Sequence, residues 1–540
     1  MSDFDVVLRQ GLIHDGSGSS PWVGDIAVRG DRIVAMDTAI LGGGRAETDM
    51  SGLAVAPGFI NMMSWSPESL IADGRSLSNI MQGVTLEVMG EGTSMGPLND
   101  EMKLAPEQGG IHGGTGFHHL VEWTTLGEYL TWLEARGVST NITSFVGAGT
   151  LRIHEVGFAD RPATESELAR MCELLDEEMR LGAVGVASAL IYPPETSYST
   201  AELVALARVS AAHGGLYASH IRSEGEGLLT AIGELIEIAR LSGVRAECYH
   251  LKACGESHWP NLDAAIAMIE AARAEGLRVT ADMYPYEYAG TSLAACIPPW
   301  AHADGPDALR ARLADPTTRE QIRADLSKGG WENMYLDAGP ANIMVRGPVL
   351  PEYQDCAGRF LAEIAEARGV SAADIMMDLC RDHPSEIFAL YFDISPAGVR
   401  RVAALPWVSF CTDAESLSRE SALEHGSVHP RAFGAFARVL GPLVRDEGLF
   451  PLADAIRRMT SLPADNLGIA DRGRLRPGHL ADIVAFDPDT VTDRATPDEP
   501  ARYADGMAHV WVNGVPVLRD GVHTEATPGR FVRGPGARLR

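Results

Sequence analysis

The sequence predicts an α/β chain built as a (β/α)8 TIM-like barrel, on three observations. Eight short apolar, β-prone runs alternate with helical patterns, polar residues collect at the ends of those runs, and hairpin signals lie at both ends of the chain. The candidate strands fall at 54–61, 83–89, 141–147, 183–189, 215–220, 243–250, 278–284 and 406–413. An open doubly wound sheet is the alternative; polar groups spread over many strand ends favour the barrel, whose sites form at one face from several strands.

The elements follow in order. Ile26 to Met36 reads as two strands about a Gly30-Asp31 turn, and Val510 to Val517 as two strands about Asn513-Gly514. With Ala481 to Phe486 as a further strand, residues 1–57 and 466–540 are expected to form one small β-sandwich from both termini. Residues 58–465 are then the barrel. Leu228, Leu229, Ile232, Leu235, Ile236 and Ala239 share one helical face, as do Leu168, Met171, Cys172, Leu175 and Met179. Thr164 with Glu167 and Ser199 with Glu202 have capping-box spacing, and Gly214 and Gly276 stand where helices end before the fifth and seventh strands. The long interval before the last strand, with helix-like stretches at 307–327 and 358–381, predicts an inserted subdomain over about 290–400.

The chain of 540 residues is 45% hydrophobic and 22% charged, within the range of globular enzymes. A net charge of −28 argues against a nucleic-acid partner. No run approaches membrane-spanning length, and the start shows neither a basic segment nor an apolar core of a secretory signal. Seven scattered cysteines do not form a disulfide framework and suit a reducing cytoplasm.

Ser219-His220-Ile221-Arg222 and Tyr249-His250-Leu251-Lys252 place histidines at the ends of neighbouring strand candidates. A lone histidine is more often a hydrogen-bonded core residue, but two at one barrel mouth suit a metal, and imidazole nitrogen suits zinc. Glu91, between Gly90 and Gly92 just beyond the second strand, is the candidate third ligand; a solvated loop carboxylate is the competing reading.

An ordered set of motifs resembles the amidohydrolase superfamily, in particular its D-aminoacylase or N-acyl-D-amino-acid deacylase branch. The set comprises Ala56-Pro57-Gly58-Phe59-Ile60, Gly83-Val84-Thr85, Ser219-His220-Ile221-Arg222, His250-Leu251-Lys252, Asp282-Met283-Tyr284-Pro285-Tyr286, His429-Pro430-Arg431, Arg476-Pro477-Gly478-His479-Leu480-Ala481-Asp482 and Val512-Asn513-Gly514. The resemblance covers nearly the whole chain. It implies a barrel with a β-sandwich, zinc, and hydrolysis of an amide next to a free carboxylate, with an N-acyl-D-amino acid as the expected substrate. The D preference comes from the resemblance alone.

The departures from that family are specific. Its usual Asp-x-His-x-His after the first strand is here Asn61-Met62-Met63-Ser64-Trp65, so a second metal site is expected to be lost. The family's cysteine ligand is missing and Glu91 stands at or beside its place. A Gly-His-Gly has become Gly147-Ala148-Gly149. Trp65 reads as core packing, or alternatively as a wall of an acyl pocket.

One zinc per chain is chemically sufficient, since three protein ligands leave an open position. Asp413, ending the last strand, is the expected general base and acid: it takes a proton from a zinc-activated water and passes it to the leaving nitrogen, against the competing reading of a helix cap. A substrate carboxylate asks for cations. Lys252 and Arg431 are the candidates, the latter resembling the family's carboxylate-binding arginine, with Tyr284 as a further donor or a turn anchor.

Cyclic-amide or D-dipeptide hydrolysis, another metal-assisted step in biosynthesis, and a non-catalytic binding barrel are the alternatives on the same scaffold. Cys254 and His258 are weaker ligand candidates, and the glycine-rich stretch 109–119 reads as a loop. A small carboxylate-bearing substrate is the expected partner, and assembly into a homo-oligomer stays open.

Overall fold

The computed structural model describes residues 3–104, 121–347, 349–383, 387–426 and 428–537. The glycine-rich stretch 109–119 lies outside them. Apolar runs become eight parallel strand segments in a TIM-barrel-like α/β arrangement: β1 (Phe59–Asn61), β2 (Val84–Met89), β3 (Asn141–Ser144, continuing at Val146–Gly147), β4 (Gly185–Ala189), β5 (Leu216–His220), β6 (Arg245–Cys248), β7 (Val279–Met283) and β8 (Val408–Phe410). β1, β2 and β3 pair in that order, and the second half of β3 pairs onward through β4, β5, β6 and β7 to β8. Just past β8 and β1 the chain hydrogen-bonds back on itself: Asp413 N–H donates to Met63 O at 3.0 Å, and Thr412 N–H to Asn61 Oδ1 at 2.9 Å.

Most strand residues are buried on both faces, as parallel strands covered by helices require. Between the strands run α1 (Glu165–Leu181), α2 (Thr200–Ala212), α3 (Leu228–Ser242) and α4 (Asn261–Ala274). α1 and α2 start in the two expected capping boxes, each contributing about 1 kcal/mol. α3 buries Leu228, Ile232, Leu235, Ile236 and Ala239, the stripe its periodicity predicts. Phe59 on β1 stacks on Phe436 with ring centroids 5.9 Å apart, and Arg458, fully buried, lies over Phe410 and Phe450 while donating to Val408 O and Ala403 O.

Strands from both ends of the chain share one nine-stranded sheet, joined where Ala54–Pro57 pairs antiparallel with Ile483–Phe486. The sheet has its own apolar cluster, including Leu8, Ile26, Ile33, Val55, Ile483 and Trp511. Asn513 and Gly514 sit at φ 50° and 80° in their hairpin, the left-handed pair that a two-residue turn needs.

Between β7 and β8, strands Ala289–Ser292, Ile343–Arg346 and Phe388–Tyr391 form a small antiparallel sheet accompanied by helices Pro306–Ala314, Pro316–Asp325, Leu361–Arg368 and Ala372–Asp382.

Candidate metal centre

β5 ends in His220, and His250 follows two residues after β6, so parallel pairing of those strands delivers both imidazoles to one end. Their ring centroids lie 4.4 Å apart at 82°. Glu91 reaches them from beyond β2 through Gly90 and Gly92, at φ 100° and 62°. A Cβ on Gly90 would stand 2.3 Å from Phe145 O, so the close approach as well as the backbone angle demands glycine there. One ligand atom from each of Glu91, His220 and His250 lies within 4.8 Å of the others.

The site is buried and its charges are paired. Glu91 Oε1 faces His220 Nδ1 at 3.1 Å and His250 Nε2 at 3.7 Å, while Oε2 accepts from the Trp65 indole at 2.5 Å. Burial alone would raise the Glu91 pKa, but hydrogen bonds from the two histidines outweigh it and bring it to about 2. Burial and the neighbouring His250 push His220 down. Burial and Lys252 also press on His250, yet the Glu224 and Asp413 carboxylates prevail and lift it to about 9.

His250 has φ 34° and Asp413 φ 48°, in the left-handed region that residues other than glycine seldom occupy. At His250 the backbone N–H donates to Asp282 Oδ1 at 2.6 Å, which holds the strained turn.

Lys252 and Arg431 come to the same mouth around Tyr284, at 5.5 Å and 4.4 Å from its ring centroid. Lys252 Nζ is engaged with Glu224 Oε1 at 2.6 Å and His250 Nδ1 at 2.9 Å. Arg431 Nη1 pairs with Asp413 Oδ2 at 2.7 Å and its Nη2 donates to Gly290 O at 3.1 Å. The expected base and one expected clamp are therefore bonded to each other. Burial lifts Asp413 to about 6 against the pull of Arg431 and His250. Asp413 Oδ1, Arg431 Nε, Tyr284 Oη and His220 Nε2 are buried without hydrogen-bond partners among the described residues.

Three contributors escaped the sequence reading. Glu224 joins Lys252 to His250, Asp282 anchors the His250 turn, and Trp65, read as packing, is also a hydrogen-bond donor. The place of Glu224 in the loop that follows β5, four residues past His220, was the available hint for the first. Cys254 and His258 stay outside the donor cluster; His258 pairs with Asp337 at 3.1 Å. A cavity of about 310 Å³ lies beside His250, Lys252 and Tyr284, walled by Leu262, Ile394 and Val399, and does not include Glu91, His220 or Asp413.

Two nitrogens and a carboxylate oxygen, mutually close, buried and with His220 Nε2 unpartnered, form a donor set that suits zinc. Comparison with known proteins agrees with this chemistry. A D-aminoacylase of Alcaligenes xylosoxydans xylosoxydans is 33% identical over 531 residues, covering 98% of this chain and 97% of its own. The chain belongs to the D-aminoacylase family of amidohydrolases. A model described as amidohydrolase family matches residues 426–518. An N-acyl-D-glutamate deacylase of the same organism is 31% identical, covering 98% of this chain and 96% of its own. The crystal structure of N-acyl-D-glutamate deacylase from Bordetella bronchiseptica, complexed with zinc and a phosphonate mimic of the tetrahedral intermediate, superposes with a TM-score of 0.78 at 30% identity, covering 98% of this chain and 99% of that one.

Proposed function

We propose that this chain is a zinc-dependent amidohydrolase that cleaves an N-acyl-D-amino acid into a carboxylate and a D-amino acid. The observation that carries the reading is the cluster of Glu91, His220 and His250 at a mouth that also holds Asp413, Lys252, Tyr284 and Arg431. Glu91, His220 and His250 would hold one zinc, which when bound supplies Lewis acidity toward the scissile carbonyl and makes water acidic at neutral pH.

This chain's own residues do the remaining work. Asp413, ionised above about pH 6, accepts a proton from the attacking water on its unpartnered Oδ1 and returns it to the departing nitrogen. Arg431 and Tyr284 keep buried donors, Nε and Oη, without partners, and these suit a substrate carboxylate. Lys252 adds positive charge beside the Tyr284 ring, and Glu224, bonded to Lys252 Nζ, accepts from His250 Nδ1–H at 2.9 Å and so orients that imidazole. With water excluded by burial, each of these interactions is stronger than in solvent.

The same reading takes residues 58–465 as a closed (β/α)8 barrel, supported by the hydrogen bonds that link Asn61 and Met63 to Thr412 and Asp413. It takes residues 1–57 and 466–540 as a small β-sandwich and about 290–400 as an inserted subdomain contributing Gly290 to the mouth. A cytoplasmic location is supported by seven unbridged cysteines.

Elemental analysis of protein purified without added metal tests the core of the proposal. About one zinc per chain is expected, lost in both His220→Ala and Glu91→Ala. A panel of D and L N-acyl amino acids with cyclic amides tests the substrate. Turnover confined to cyclic amides would replace the deacylase reading with a cyclic-amide hydrolase.

A further inference from the structure

We propose that Trp65 is a positioning residue for the metal centre: its indole N–H occupies one oxygen of the Glu91 carboxylate, fixes the other toward the histidines, and thereby limits the site to a single divalent ion. The inference rests on the reading of Glu91, His220 and His250 as metal ligands.

The Glu91 carboxylate is divided between two tasks. Oε2 accepts from Trp65 Nε1 at 2.5 Å, and Oε1 faces His220 Nδ1 at 3.1 Å and His250 Nε2 at 3.7 Å. The carboxylate is 4% exposed, so water does not compete for Oε2. An N–H bonded to an ionised oxygen in such surroundings is a strong, short contact. It selects one rotation of the carboxylate, and the free oxygen is then aimed before any ion arrives.

The indole is itself held. The backbone N–H of Trp65 donates to Ala414 O at 3.0 Å, which ties this segment to the chain just past β8. The Arg431 guanidinium lies over the indole at 5.7 Å and is fixed in turn by Asp413 Oδ2 and Gly290 O. A second divalent ion sharing Glu91 would have to displace the indole from Oε2 and approach a fixed cation overlying the same ring. Both requirements oppose it.

Removing an outer partner of a ligand lowers metal affinity by about 10–100-fold. The test uses full-length protein stripped of metal by a chelator. Zinc is titrated against a chromophoric competitor, and bound zinc is then counted by elemental analysis after exposure to excess ion.

The wild-type chain is expected to retain one equivalent, and Trp65→Phe to bind that equivalent about 10–100-fold more weakly. Unchanged affinity in Trp65→Phe would overturn the positioning role. Two tightly held equivalents in the wild type would overturn the single-ion limit, a result that needs no variant and stands even if Trp65→Phe fails to fold. Wild-type protein that takes no zinc would instead refute the ligand assignment on which this inference rests.

Discussion

Replacing Asp413 by Asn separates chemistry from architecture. The Asp413–Arg431 pair is 2.7 Å long and its side chains are only 4% and 2% exposed. Deleting one partner of a buried pair costs about 3–5 kcal/mol, because the other charge is stranded. Asparagine keeps an acceptor for Arg431 Nη1, and Arg431 keeps Gly290 O and the Tyr284 ring, so the expected cost falls to about 1–2 kcal/mol. For 540 residues that is a fall in Tm of roughly 1–2 °C.

The kinetic effect is much larger. Losing a positioned proton acceptor costs about 10²–10⁴ in rate, or about 3–5 kcal/mol of barrier. Zinc content should not change, because Asp413 is outside the Glu91, His220 and His250 donor set. Burial lifts Asp413 to about 6, and a carboxylate acts as a base only when ionised, so wild-type kcat/KM should fall as pH drops through about 6. The assay is kcat/KM against pH, with zinc content and thermal melting measured on the same preparation. Near-normal turnover by zinc-replete Asp413→Asn would remove the proposed role. Loss of zinc together with turnover would make Asp413 a ligand instead of a base.

Arg431→Met should raise KM for an N-acyl amino acid by about 10–100-fold, the loss of a charge-assisted carboxylate contact; steady-state kinetics showing an unaltered KM would end the clamp assignment. Glu224→Gln should weaken zinc binding by about 10–100-fold through the loosened His250, measured by chelator competition, and an unaltered affinity would exclude that route. Glu178, buried on α1, is raised to about 8 by burial against its bonds from Leu126 and Gly127 N–H groups. Its folded pKa exceeds the unfolded value, so its contribution is favourable below about pH 4.5 and is lost progressively as pH rises toward 8. Glu178→Gln should therefore gain stability relative to wild type between pH 5 and pH 8, by about 1 kcal/mol or more, in denaturant unfolding at the two pH values. An equal difference at both would show that Glu178 does not titrate in that interval.

The strand pattern was legible because parallel strands covered on both faces are mostly apolar, and runs such as 84–89 and 216–220 are buried along their whole length. His220, His250 and Glu91 were legible for a related reason: polar residues at strand ends are placed by the strands themselves, and Gly90 and Gly92 mark a turn that only glycine makes easily. The pairing of Arg431 with Asp413 was not legible, since 17 residues intervene and no periodicity links them. Glu224 was hidden because a loop carboxylate looks the same whether it faces solvent or a buried lysine, and Asp282 because nothing in the β7 run shows that its carboxylate meets the His250 backbone N–H. Trp65 combined two roles, and composition reported only its apolar one.

Asn141, which opens β3, donates to Asp482 Oδ2 and accepts from Asn513 Nδ2, while Arg472 bonds both Asp482 and Asn513. Beyond them, Arg530 O accepts from Ile142 N–H and Val532 N–H donates to Ile142 O, so the tail runs beside the base of that stave. Residues 530–532 are thus a keystone set from below, and cutting the chain before them should loosen the floor beneath the candidate site instead of trimming an idle appendage. A partner grasping residues 530–532 would pull on the same stones.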